Sequence, residues 1–280
     1  MSLSVQTSFA SMVTQNSLST ANDKLTTAME RLSTGYAVNS SADDAAGLSI
    51  ATRMQSQSDG ITVAQDNVED ASSMLSTADG ALESMVDIVG RMKDLATQAA
   101  NDTYSTDDRT AMQSEYDELS EQLTSVMSTT SYGGTDLLSS TGLLGSGSVN
   151  FQVGASTSET LTVNISAALG DITSGITSAS GASLASSSGA SSAIDALEDL
   201  TSAISTVRSD VGAKINRLDY ISDNLTNMQE NTDTAIGNIM DADYASETSE
   251  MSKQQLLEQA GISVLSAVSD AQSLITNLLQ

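Results

Sequence analysis

The 280-residue chain has no cysteine, histidine, proline or tryptophan, and only 3% of it is aromatic. Without cysteine there can be no disulfide, thiolate metal ligand or thiol nucleophile. Without histidine the usual general base and the commonest metal ligand are missing, which excludes most hydrolytic and zinc-dependent chemistry, HExxH proteases included. The aromatic mass is small for a thick core. The apolar 39% is mainly Ala, Leu, Ile, Val and Met, a palette that suits narrow seams between helices. Basic residues are also scarce, 10 Lys and Arg against 36 Asp and Glu, for a net charge of −26. Such a surface repels phosphate backbones and anionic headgroups, so neither nucleic acid nor a membrane is an expected partner. The first 23 residues carry no Lys or Arg and no continuous apolar run, so no cleavable secretory signal is expected. No segment is apolar for long enough to span a bilayer.

What the chain does have is periodicity. Leu18, Ala21, Leu25, Ala28 and Leu32 alternate steps of three and four, as a coiled-coil seam does. Gly35 follows as the expected left-handed helix stop. In Ser41-Ala42-Asp43-Asp44 the spacing predicts a capping box with Ser41 at the N-cap. The next helix, about 44 to 100 and roughly 80 Å long, carries the strongest seam: Ile61, Ala64, Val68, Ala71, Leu75, Ala78, Leu82, Met85, Val89, Met92, Ala96 and Ala99. A further helix is expected from near Asp107, with Met112, Tyr116, Leu119, Leu123 and Met127 inward, followed by a turn at Gly133-Gly134.

The period then drops to two. Val149, Phe151 and Val153, and after a turn Leu161, Val163 and Ile165, predict a β-hairpin at about 149–165. Residues 171–193 are rich in Ser, Gly and Ala and read as a flexible surface segment, with hydroxyls that could accept O-linked sugars. Helical spacing resumes from Leu200 to Met228, drifting near Val211, Ile215 and Leu218 as a stutter would make it. A last stripe runs Leu257, Ala260, Val264, Ala267, Ala271, Leu274 and Leu278. A monomer would struggle to bury the stripes at both ends, so the termini are expected to order on association.

The stretches "AMERLSTGYAVNSSADDAAGLSIATRM" (28–54), "TQNSLSTANDKL" (14–25), "RMKDLATQAAN" (91–101) and "MSKQQLLEQAGISVLSAVSDAQSLITNLL" (251–279) closely resemble the terminal regions of bacterial flagellin. The resemblance covers roughly 1–140 and 195–280. It implies a secreted structural subunit, found outside the cell in the flagellum, that self-assembles into the filament for swimming motility. Export would use the flagellum's own type III apparatus in place of a signal peptide. It further implies an inner terminal coiled-coil domain of 1–44 plus 240–280 and an outer helical domain of 45–239, too short for extra outer domains. Implied partners are other copies of the chain, an export chaperone, and the cap and hook-junction proteins. Arg91, Leu95 and Glu115 match positions through which an animal flagellin-sensing Toll-like receptor contacts this family, although the same surface packs between subunits. Pattern and resemblance together predict a mainly α fold. It would be an elongated rod of long antiparallel coiled-coil helices with a small β-hairpin insertion and paired N- and C-terminal helices.

No residue set reads as an active site, and no catalytic, cofactor or metal site is expected. Asp43 and Asp44 are adjacent on a helix, about 100° apart, with no third ligand, which favours capping over catalysis. Asp241 and Asp243 begin like a calcium loop, but Ser246 and Ser252 stand where glycine and an acid are needed. Gly142, Gly145 and Gly147 lack the strand and helix of a phosphate loop. The methionines at 85, 92, 112, 127 and 228 fall on seams and read as core. The polymerisation seams are expected at Leu18, Leu25 and Leu32, and at Leu257, Val264, Leu274 and Leu278. Alternatives left open are a hook–filament adaptor, a coiled-coil adhesin or tail fibre, and an enzyme using carboxylates on a helical scaffold.

Overall fold

A computed structural model describes residues 9–278, the side chains of Gln272 and of 274–278 excepted. Six helices, α1 (Phe9–Thr34), α2 (Ala45–Ala99), α3 (Thr106–Thr129), α4 (Ser166–Ser180), α5 (Ser187–Met240) and α6 (Tyr244–Leu278), account for most of these residues. Two small antiparallel ladders lie between α3 and α4: β1 (Ser131–Tyr132) with β2 (Thr135–Asp136), and β3 (Ser148–Gln152) with β4 (Thr160–Asn164). The chain divides into two compact units, residues 1–58 with 230–280 (unit 1) and 59–229 (unit 2), and the division falls inside α2 and α5.

Unit 2 is built on the seam of α2. Ile61, Ala64, Val68, Ala71, Leu75, Ala78, Leu82, Met85, Val89, Met92, Ala96 and Ala99 are each no more than 2% exposed. From α5 they meet Leu197, Leu200, Ile204, Val207, Val211 and Leu218, all fully buried. Polar contacts fix the antiparallel register. Thr62 pairs with Gln229, Gln65 with Thr226, Asp79 with Arg208 and Lys93 with Glu198, each step up α2 being a step down α5. Helix α5 runs unbroken through the predicted stutter, where Ile215 and Ile221 are only half-buried.

Helix α3 opens with a capping box, at a position other than the one expected from the sequence. The Ser105 hydroxyl accepts the Asp108 N–H while the Asp108 carboxylate accepts the Ser105 N–H, which satisfies donors at both ends of the turn. From the first turn of α3, Arg109 closes the C-terminus of α2 by donating from Nε to the Ala99 carbonyl at 2.9 Å and from Nη2 to that of Asn101. Tyr116 is fully buried, and its hydroxyl donates to the Ala179 carbonyl at the end of α4. In the hairpin Val149 pairs with Val163 and Phe151 with Leu161, and Leu161, Val163 and Ile165 turn into the core.

The Ser/Gly-rich stretch 171–193, expected to be flexible, is instead mostly helix. Leu169, Ile172, Ile176 and Ala179 recur at helical spacing and are buried, so the small residues between them form the outer face of α4. Serine and threonine hydroxyls there return to the carbonyl four residues back, which satisfies them without breaking the helix. At Gly175 the missing Cβ lets Leu200 approach.

Unit 1 pairs α1 with α6. Gly35 takes φ of 81° and its N–H reaches the Arg31 carbonyl at 2.8 Å, the left-handed stop read from the sequence. The chain then forms an isolated antiparallel bridge, Tyr36 with Asp241, in which the Ala37 N–H donates to the Met240 carbonyl and the Ala242 N–H to that of Gly35. The predicted box on Ser41 does not form. Asp44 is the cap, its Oδ1 accepting the Ala46 and Gly47 N–H groups at 3.0 and 2.9 Å, because the turn at 40–43 places Ser41 outside the helix start.

Candidate functional site

Pockets among the described residues are shallow, and the acids that the spacing singled out are engaged locally. Asp43 accepts the Ser40 N–H and the Ser40 hydroxyl, and more weakly the Asn39 N–H, which hold its carboxyl below the ordinary value. Asp243 caps α6 by accepting the Ala245 and Ser246 N–H groups, and Asp241 sits in the bridge. Among the described residues no group of His, Cys, Asp or Glu is arranged to hold a metal, and no helix is long and apolar enough to cross a membrane. A surface is therefore the better place to look for function.

The α1·α6 pair supplies one. Leu18, Leu25 and Leu32 are half-buried, and Ala21 and Ala28 are fully buried between them. Across from them α6 presents Glu247, Met251, Gln254, Glu258, Gly261, Leu265 and Val268, all at least half-buried, in strict steps of four and three. The contacts are specific. Arg31 Nη1 donates to Glu247 at 3.0 Å, the Tyr244 hydroxyl donates to the Leu32 carbonyl at 3.1 Å, and the face of Gly261 lies against Leu18. Gln254 is 2% exposed and donates to Glu250, whose carboxyl this bond and Lys253 hold low.

The stripe Leu257, Ala260, Val264, Ala267 and Ala271 is thus a second face of α6, left exposed. Leu257 is 50% and Val264 48% exposed, and Leu256, at 67%, stands beside them. Leu274 and Leu278 lie in the last turns of α6, outside the residues whose side chains are described. Expected ordering of the termini also falls partly on 1–8 and 279–280, outside the described residues. Phe9, Met12 and Val13 add exposed apolar area on α1, beyond the seam expected from the sequence. Between the helices a groove of about 410 Å³ is lined by Val13, Ala21, Leu257, Lys24 and Lys253 among others. The polar α6 seam is invisible to a scan for apolar periodicity, which cannot see Glu247, Gln254 and Gly261 as inward.

Arg91 and Glu115 come together in unit 2. Arg91 donates from Nε and Nη2 to one Glu115 oxygen, at 2.9 and 2.6 Å, with both side chains about half exposed. Leu95 lies in the core at 2% exposure, one turn along from Arg91.

Known proteins resemble this chain in sequence and in fold. Residues 5–142 match the model of the bacterial flagellin N-terminal helical region and 194–279 that of the C-terminal helical region. A flagellin of Listeria innocua is 35% identical over 99% of both chains. The Bacillus cereus flagellin crystal structure superposes with a TM-score of 0.50 at 31% identity, over 57% of this chain and 88% of that one. A putative flagellar hook-associated protein of Vibrio parahaemolyticus shares the fold with a TM-score of 0.57 at 17% identity, over 71% and 100%. The helical fold with its small hairpin, the two terminal matches and the whole-length identity lead to one conclusion: the chain belongs to the bacterial flagellin family, whose members are structural proteins and not enzymes.

Proposed function

We propose that this chain is the repeating subunit of an extracellular flagellar filament, and that the exposed stripe of α6 is the main surface on which copies join. The observation that carries the reading is the 48–50% exposure of Leu257 and Val264 on a helix whose neighbouring face is already engaged by α1. A filament needs contacts in which one patch meets a different patch of the next copy, and so never close into a ring. A second face on a paired helix provides one of these patches, and the exposed Phe9 and Met12 on α1 are suited to be the other. In this reading Leu18, Leu25 and Leu32 act within the subunit, and Leu257, Val264, Leu274 and Leu278 act between subunits.

The same reading assigns 1–44 with 240–280 to the inner filament core and 45–239 to its outer layer. Family membership supports export through the flagellum's own channel, a chaperone that covers the α6 stripe before export, and docking to hook-junction and cap proteins. Recognition of released monomer by the animal flagellin-sensing receptor would use the exposed Arg91–Glu115 pair, with Leu95 as the support beneath it.

Purified monomer is mixed with short filament seeds and filament length is followed by electron microscopy, beside a variant lacking residues 251–280. Growth of the intact chain alone is the expected result. Equal growth of both forms, or capping of seeds without elongation as an adaptor would do, overturns the proposal.

A further inference from the structure

We propose that Lys214, Arg217 and Tyr220 form a docking patch through which unit 2 of one subunit engages an acidic helical face of a second copy. The inference rests on the assembly reading above and adds a contact outside the terminal helices. Six of the chain's 10 basic residues lie in unit 2: Arg91, Lys93, Arg109, Arg208, Lys214 and Arg217. The first four are used inside the subunit. Arg91 pairs with Glu115 and Lys93 with Glu198, Arg208 holds Asp79 and Glu83, and Arg109 caps α2 beside Asp102. Lys214 and Arg217 make no ion pair and no side-chain hydrogen bond among the described residues. This is notable in a unit that holds 24 of the 36 acids.

The two cations stand three residues apart on α5, and three further on is Tyr220, 76% exposed in a chain with only six tyrosines. Leu218 and Leu225, at 0% and 5%, hold the core face of this stretch, so the patch is not needed for packing within the subunit. Arg and Tyr are the side chains that most often anchor protein interfaces, since each brings a large flat area with a polar end.

Charge complementarity identifies the occupant. Nucleic acid and anionic membrane are repelled by the net charge of −26. A second copy instead offers exposed acids with no cation beside them among the described residues, among them Asp66 and Glu69 on α2 and Glu118 and Glu121 on α3. When subunits this acidic are brought side by side, like charges oppose contact in most registers. Two unspent cations favour the registers that bring them to acids, and so act on specificity more than on affinity.

The test uses full-length Lys214→Gln/Arg217→Gln and Tyr220→Ala chains with parent seeds at low salt. Control chains carry the same charge change on α4, Ser174→Asp with Ser178→Asp, at exposed positions outside both the patch and the acidic faces. The expected result is monomer melting like the parent for all, elongation at least tenfold slower for the patch variants, and a smaller loss for the control. Patch variants growing at the parent rate, or slowing no more than the control, overturn the proposal. A parent that fails to elongate removes the filament reading itself, and the patch with it. Should a patch variant fail to fold, carbodiimide cross-linking of filaments mixed from isotopically light and heavy parent chains decides. Links from Lys214 to a carboxylate of another chain support the patch, and links within one chain only overturn it.

Discussion

Unit 1 and unit 2 use the same small set of apolar residues and reach different degrees of closure. In unit 2 the α2 and α5 seams are covered by α3, α4 and the hairpin, and Leu75, Leu82, Leu197 and Leu200 lose all contact with water. In unit 1 a single helix pair carries most of the interaction, and half of Leu257 remains exposed. The difference lies in the number of layers. One seam between two helices covers one stripe of each, whereas a third and fourth helix cover the remainder. The better closed unit is suited to be a scaffold, and the less closed one to be completed by another copy.

The sharpest way to break that contrast is the same truncation in each unit. Leu200→Ala should cost about 2–5 kcal/mol and shift chemical denaturation followed by circular dichroism, because it opens a cavity in a fully covered core. Smaller, and confined to unit 2, is Tyr116→Phe, which removes the buried bond to Ala179 at a cost of about 1 kcal/mol. That substitution also has a pH signature. Burial pushes the Tyr116 hydroxyl from its ordinary 10.0 up to about 12. The folded state therefore keeps a proton that the unfolded chain releases, and the associated stability is complete below pH 10.0 and is lost as pH rises towards 12. The Phe variant should flatten this alkaline limb in a pH series of unfolding curves.

Ser105→Ala removes one half of the α3 box and should cost about 1 kcal/mol or less by the same measurement. Its partner Asp108 is held below its ordinary 3.8 by the Ser105 hydroxyl and N–H. That contribution is present above pH 3.8 and fades as pH falls through the lowered value, so the variant should lose part of the acid limb of the stability profile. Least of all should be Leu257→Ala, which is expected to move monomer stability by no more than about 0.5 kcal/mol while sharply reducing elongation on seeds. If Leu257→Ala unfolds the monomer as Leu200→Ala does, the contrast between the units fails.

Much of helix α2 is legible in the amino-acid sequence, because its seam alternates three and four without exception and each position expected inward is buried. The hairpin is legible for the matching reason, a clean period of two. Helix α4 is hidden by composition, since serine and glycine on its outer face dilute the signal of Leu169, Ile172 and Ile176. Spacing points to Ser41 as the N-cap of α2 because it cannot tell which of several capping residues begins the helix; the turn at 40–43 decides for Asp44. The candidate surface is half legible. Periodicity finds the apolar stripe of α6, but the face turned to α1 contains Glu247, Gln254 and Gly261, whose inward placement depends on Arg31, Glu250 and the close approach of Leu18.

The antiparallel register also sets an order of events in time. Sequence separation across the paired helices falls from 216 residues at Arg31–Glu247 to 175 at Ser58–Asp233, 161 at Gln65–Thr226, 129 at Asp79–Arg208 and 105 at Lys93–Glu198. Closing the shortest loop first leaves each later pair between 14 and 41 further residues to bridge, in place of its full separation, so the chain should zip from Lys93–Glu198 outward. With no proline and no cysteine, neither peptide-bond isomerisation nor disulfide exchange would slow that progress. The last pair to meet is Arg31–Glu247, so a folding chain would complete its scaffold before its ends join, and pulsed hydrogen exchange should show amides of α5 near Glu198 protected before those of α6.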